Sequence, residues 1–196
     1  MIKKLKSLFL SLAISTLIYG GSVMAEEKDI IHMTLKDGVV KIETRPDLAP
    51  KHVAQIKQLI NEGQYDGVVF HRVIEGFMAQ TGDVEFGNSE SKDFDLRRAG
   101  MGGSDFPDLK QEFNSLPHDR GTLSMARAQD PDSANSQFFI CFQPAPFLDR
   151  QYTVFGKVIE GMEFVDKIKR GDQNNNGCLL YTSDAADDTP CVDLGG

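Results

Sequence analysis

Arg72, Gln80 and Gln137, set among Phe77 and Phe139, are the side chains whose types and spacing could act together. They lie in two stretches that alternate apolar and polar residues, Val69 to Asp83 and Ser133 to Ile140. Such alternation turns one set of side chains into a core and the other onto a face. The shared face would hold one guanidinium, two amides and aromatic rings. Its chemistry would be hydrogen-bond donation from a permanently charged group rather than covalent attack. Taken singly, each residue has a plainer reading, because an Arg in a strand is usually solvated or salt-bridged and a Phe is usually core. Composition alone therefore names no activity.

Other chemistries find little support. Ser124, Ser133 and Ser136 lie in no G-x-S-x-G elbow. His32, His52, His71 and His118 are scattered without a paired metal-ligand spacing, so no metal site is expected and a metal hydrolase lacks a ligand set. Asp172-Gln173-Asn174-Asn175-Asn176-Gly177 matches the first half of a calcium loop, but Ser183 stands where the bidentate Glu belongs, so the segment reads as a solvated turn. No glycine-rich phosphate loop occurs. The chain carries a formal charge of −8, which argues against nucleic acid as a partner, since phosphates demand a basic footprint.

The elements that must position the candidate face are short. Ile30 to Lys36 and Val39 to Ile42 flank Asp37-Gly38, which predicts a hairpin turning on those two residues. Pro50 opens a helix with Val53, Ile56, Leu59 and Ile60 on one face and Gly63 at its end. Strands are predicted at 68–73, 77–81, 122–126, 137–142 and 154–158, and a second short helix over 161–168. Residues 83–110 read as a long loop, and such loops tend to be functional or mobile. Many short strands with two helices predict a mainly β fold, a β-barrel with helical caps.

The ends are set apart. A basic head with Lys3, Lys4 and Lys6, the apolar run Leu8–Tyr19 and the small residues before Glu26 form the three-part pattern of a secretory signal peptide over 1–25. Its removal would shift the formal charge to −11, and no other run is apolar enough to span a membrane. Three cysteines, Cys141, Cys178 and Cys191, define no disulfide framework, and Cys141 reads as a small buried hydrophobe. From Cys178 the string Cys-Leu-Leu-Tyr-Thr-Ser-Asp-Ala-Ala-Asp resembles a translated transposon-end adapter of sequencing libraries. Residues 178–196 are therefore expected to be a non-native tail, loosely packed and contributing no full strand to the barrel, with the domain proper over 26–177.

Five ordered motifs carry a resemblance to a known family. They are Phe70-His71-Arg72-Val73-Ile74-Glu75-Gly76-Phe77-Met78-Ala79-Gln80-Thr81-Gly82-Asp83, Gly121 to Ala126, Asn135 to Ile140, Phe147-Leu148-Asp149 and Phe155-Gly156-Lys157-Val158. Together they resemble the cyclophilin-type peptidyl-prolyl cis/trans isomerases over roughly residues 31–170. The resemblance implies a closed antiparallel β-barrel capped by two helices, a monomer needing no cofactor, and proline-containing polypeptides as substrates. It implies that Arg72 is catalytic, that Phe77, Met78, Phe139 and Leu148 wall a proline pocket with Phe147 beside them, and that Gln80 and Gln137 hold the peptide backbone. It further implies that the substrate lies along Ala126, Arg127 and Ala128, with His71 and Tyr152 in support. Phe147, Tyr152 and Arg127 stand where drug-binding eukaryotic members usually have Trp, His and often Asn, which implies weak cyclosporin binding. With the leader, the periplasm is the expected compartment, and no stable membrane association is expected after cleavage. A non-catalytic peptide-binding module on the same fold is the alternative, which loss of the matched arginine would favour.

Overall fold

The computed structural model describes residues 29–178 and the backbone of 191–192; the expected signal peptide and most of the expected non-native tail lie outside the described residues. The chain runs β1 (Ile30–Leu35), β2 (Gly38–Thr44), α1 (Pro50–Asn61), β3 (Val68–Val69), β4 (Arg72–Ile74), β5 (Met78–Thr81), β6 (Thr122–Met125), β7 (Phe138–Cys141), β8 (Val154–Glu160), α2 (Met162–Val165) and β9 (Cys191–Val192). Seven strands form one antiparallel sheet in the order β1-β2-β8-β6-β7-β5-β4, and β3 pairs with β9. The sheet curls into a half-barrel. Among the described residues β1 and β4 form its two edges and do not pair with each other.

Alternation decides what the sheet encloses. Met33 and Leu35 of β1, Val40 and Ile42 of β2 and Leu123 of β6 point inward, where Val53, Ile56 and Leu59 of α1 and Val165 of α2 close over them. The N-terminus of α1 has no side-chain cap of its own. Glu112, in the segment that follows the long loop, supplies one, accepting from Lys51 N–H and His52 N–H and pairing with His52 Nδ1 at 2.7 Å. Just past the helix end, Gly63 N–H and Gln64 N–H donate to the carbonyls of Ile60 and Leu59 and close its last turn.

Three sequence expectations change. The first hairpin turns on Lys36 and Asp37, because Leu35 pairs with Gly38. Gly38 is needed instead for closeness, since a Cβ there would collide with the Phe164 ring. The strand expected over 68–73 is broken at Phe70-His71, because β3 turns to Gly87 and β9 while β4 turns to β5. The second helix is one turn, Met162–Val165. Of the tail, Cys191–Val192 pairs with Val68–Val69, outside the seven-stranded sheet.

Candidate active site

Register builds the site. Arg72 pairs with Gln80 across β4 and β5, Gln80 with Phe139 across β5 and β7, and Phe139 with Ser124 across β7 and β6. Residues paired directly across strands share a face, so guanidinium, amide and ring stand in one row on the outer side of the sheet. The next row on that face is Ile74, Met78 and Cys141. Met78, Phe139 and Cys141 pack with Ala145 and Leu148 into a second, smaller apolar cluster, against which Phe77, Ala126 and Tyr152 lean.

A cleft of about 310 Å³ opens over that cluster. It is lined by Arg72, Phe77, Met78, Gln80, Ala126, Arg127, Phe139, Phe147, Leu148 and Tyr152, every one a residue singled out from the sequence. Ala128 and Gln137 line the adjoining cleft, and His71 lines a third recess beside Arg72. Phe139 is only 5 % exposed yet bounds the cleft edge-on to Tyr152, with ring centroids 6.0 Å apart. Phe147 tilts against Phe77 at 5.4 Å and is 63 % exposed, so it forms the outer rim.

Arg72 is held rather than free. Its Nη1 donates to Gln80 Oε1 at 3.4 Å, its Nε to the Asn176 carbonyl at 3.1 Å and its Nη2 to Asn176 Oδ1 at 2.9 Å. Those bonds use three of the five guanidinium N–H groups, leaving two for a ligand among the described residues. Partial burial lowers its pKa from the ordinary arginine value, and the group remains a cation at neutral pH. Behind it, Gln80 Nε2 donates to Gln137 Oε1 at 2.9 Å, and Gln137 Nε2 donates to the carbonyls of Gly100 and Gly102. The long loop thus fixes the amides through its backbone. Asp83, fully buried, fixes the loop in turn: its carboxylate accepts from Glu85, Phe86, Gly100 and Gly102 N–H. Gly100 has a φ of 98°, and a Cβ there would meet the His71 ring. Burial holds His71 down at about 4, with Asp83 opposing, so the imidazole is neutral at pH 7.

Sequence reasoning missed two supports. Asn176 belongs to the turn read as merely solvated, yet it orients Arg72 from a segment whose Gly177 carbonyl accepts from Val73 N–H. No spacing signal could have found it, because the two residues are 104 positions apart. The other is a chain beneath Phe139: Asp149 accepts from His118 N–H and pairs with His118 Nδ1 at 2.9 Å, while His118 Nε2 lies 3.0 Å from Ser124 Oγ. The spacing mimics an acid–base relay, but Ser124 is 0 % exposed, so no substrate reaches it. The His118 ring stacks on Phe139 at 6.1 Å and serves as its floor. Cys141 is likewise inert, with burial pushing its thiol up to about 12.

The family profile described as "Cyclophilin type peptidyl-prolyl cis-trans isomerase/CLD" matches residues 30–185. The chain belongs to the cyclophilin-type peptidyl-prolyl cis-trans isomerases. A probable peptidyl-prolyl cis-trans isomerase of Brucella abortus is 61 % identical over 155 residues, covering 79 % of each chain. Peptidyl-prolyl cis-trans isomerase B of Bacillus subtilis is 41 % identical over 143 residues, 72 % of this chain and 91 % of that one. Among solved structures, a Cryptosporidium parvum cyclophilin determined in the presence of the dipeptide Ala-Pro superposes with a TM-score of 0.68 at 26 % identity, covering 85 % of this chain and 96 % of that one. The fold is thus the cyclophilin fold and the activity peptidyl-prolyl cis/trans isomerisation.

Proposed function

We propose that Arg72 performs the isomerisation by donating to the prolyl nitrogen as the peptide bond twists, while the aromatic cleft holds the proline ring. The observation that carries this is the lateral register of Arg72, Gln80 and Phe139, which sets a tethered guanidinium with spare donors on the wall of a cleft floored by apolar side chains. The planar C–N bond resists rotation by about 18–20 kcal/mol because nitrogen shares its lone pair with the carbonyl. Twisting localises that pair and makes the nitrogen a better acceptor. A donor placed there binds the twisted state better than the planar one, which is what lowers a barrier. Gln80 and Gln137 hold the backbone, Ala126 to Ala128 carry the flanking chain, and His71 packs behind as a neutral spacer. Uncatalysed exchange takes about 10–100 s. Reaching milliseconds needs about four to five decades, roughly 5–7 kcal/mol, within the reach of positioning plus one or two strong hydrogen bonds and without any covalent intermediate.

Exchange spectroscopy on an Ala-Pro peptide tests the assignment. Arg72→Ala should lower kcat/KM by about ten- to a thousandfold, roughly 1.4–4 kcal/mol, with the circular dichroism spectrum unchanged. Activity within twofold of wild type would remove Arg72 from the mechanism, whereas an inactive wild type would favour a peptide-binding module.

The wider reading follows from the leader-like residues 1–25: a periplasmic monomer, free of the membrane after cleavage, that assists folding of exported polypeptides. The half-barrel is in this reading part of a closed barrel whose closing strand belongs to native sequence displaced by residues 178–196. Osmotic-shock fractionation of expressing cells and resequencing past Gly177 with an independent library check the two statements.

A further inference from the structure

Two cationic side chains line the main cleft, Arg72 and Arg127, and neither meets a carboxylate among the described residues. Four of the eight arginines do meet one. Arg45, Arg97, Arg120 and Arg170 pair with Asp47, Asp95, Asp166 and Glu75 at 2.6–2.7 Å, and acidic residues outnumber basic ones by 29 to 21. Carboxylates are abundant, yet none is set against the cleft's two guanidinium groups.

Arg127 is moreover fastened. Its Nη1 donates to the carbonyls of Ala128 and Gln129, its Nε and Nη2 to that of Gln151, and its guanidinium lies over the Tyr152 ring, 4.4 Å from the centroid. Neutral carbonyls and an aromatic face orient the group while leaving its charge uncancelled. A fixed, half-buried, uncompensated cation beside a substrate cleft is a recognition device for an anion, because its field is not screened by a partner and no ordering entropy remains to be lost on binding.

Resting on the isomerase reading, we infer that Arg127 makes the cleft selective for X-Pro segments carrying a carboxylate side chain directly next to the proline. The preference is local. Asp108 lines the adjoining cleft together with Arg127, so an acid placed farther along that cleft faces a like charge.

The test measures kcat/KM for matched peptides with Glu or its isostere Gln directly before the proline, directly after it, or two residues away. At low salt, Glu should outrun Gln by about three- to tenfold at one of the two adjacent positions and show no advantage two residues away. The advantage should shrink in 0.5 M salt, where the Debye length is only about 4–5 Å. Because the readout is the Glu/Gln ratio within each variant, changes in overall rate drop out. Arg127→Gln should bring the ratio to about one, and Arg127→Lys should retain part of it. A ratio near one in the wild type, or a preference undiminished in Arg127→Gln, would overturn the inference. Absence of turnover on the Gln peptides would instead strike the isomerase reading itself, so the two failures are distinguishable.

Discussion

Strands β5 and β7 serve two apolar clusters of different character. On the inner side, Ala79, Phe138 and Ile140 join a core sealed by α1 and α2; on the outer side, Met78, Phe139 and Cys141 join Ala145 and Leu148. Both sets obey the same two-residue period. What differs is the cover. Among the described residues no α-helix lies over the outer cluster, which is flanked by the short 3₁₀ turn Pro146–Leu148 and by Ile74, Phe77, Ala126 and Tyr152. Inside, apolar surface is spent on stability; outside, enough of it stays reachable to receive a ring. Function here comes from leaving one side of a sheet incompletely covered.

The largest expected effect separates Phe138 from its neighbour. Phe138 packs edge-on against both Tyr65 and Phe155 in the sealed core. Phe138→Ala should therefore lower stability by about 3–5 kcal/mol, read by urea denaturation. Phe139→Ala should cost about half that or less but reduce kcat/KM by roughly tenfold or more. Equal stability losses would erase the distinction between the clusters.

Acid tests the seam between cluster and loop, at His71. Its folded pKa of about 4 lies below the unfolded value of about 6.5, so the stability tied to the neutral ring is complete above pH 6.5 and fades as pH falls toward 4. Between pH 7 and 4.5 this residue should account for on the order of 2–3 kcal/mol of lost stability. Burial lowers the pKa of His52 and His118 too, which adds loss of the same sign. His71→Gln should flatten the profile of unfolding free energy over that window; an unchanged slope would show that His71 is not the neutral, buried group described.

The smallest effect sharpens the open side. Asn176→Ala removes one side-chain acceptor from Arg72 while keeping the backbone carbonyl. A neutral-to-charged bond of this kind is worth about 1.5–3 kcal/mol at most, and with the Gln80 amide and the Asn176 carbonyl still in place a three- to tenfold fall in kcat is expected, roughly 0.7–1.4 kcal/mol. KM should hardly move, and Asn176→Asp should restore much of the rate. A rise in KM alone would mean that the turn shapes binding rather than the donor.

Much of this was legible because alternation in strands is a short-range code. It grouped Arg72, Phe77, Gln80 and Phe139 on one candidate face before any pairing was known, while the other residues around the cleft, Arg127 and Tyr152 among them, came from the family resemblance rather than from periodicity. What escaped depends on chain segments meeting across long separations. Asn176 and the His118–Ser124–Asp149 floor carry no local signature, since each residue alone is an ordinary polar side chain. The turn at Lys36-Asp37 escaped for another reason: Asp-Gly satisfied the local rule, but Gly38 was answering to Phe164.

Asp83 has a consequence for how such a chain can change over time. Its carboxylate takes up Glu85 and Phe86 N–H on the way out and Gly100 and Gly102 N–H on the way back, so residues 87–99 form a detour that starts and finishes at one point. A detour anchored in this way can lengthen without shifting its anchors. Doubling it adds only about 0.6 kcal/mol of closure entropy, while Gly100 and Gly102 stay in place to receive Gln137. The exposed stretch Glu90–Asp93 is therefore a port through which new sequence, even a small folded insert, can enter without disturbing the catalytic row.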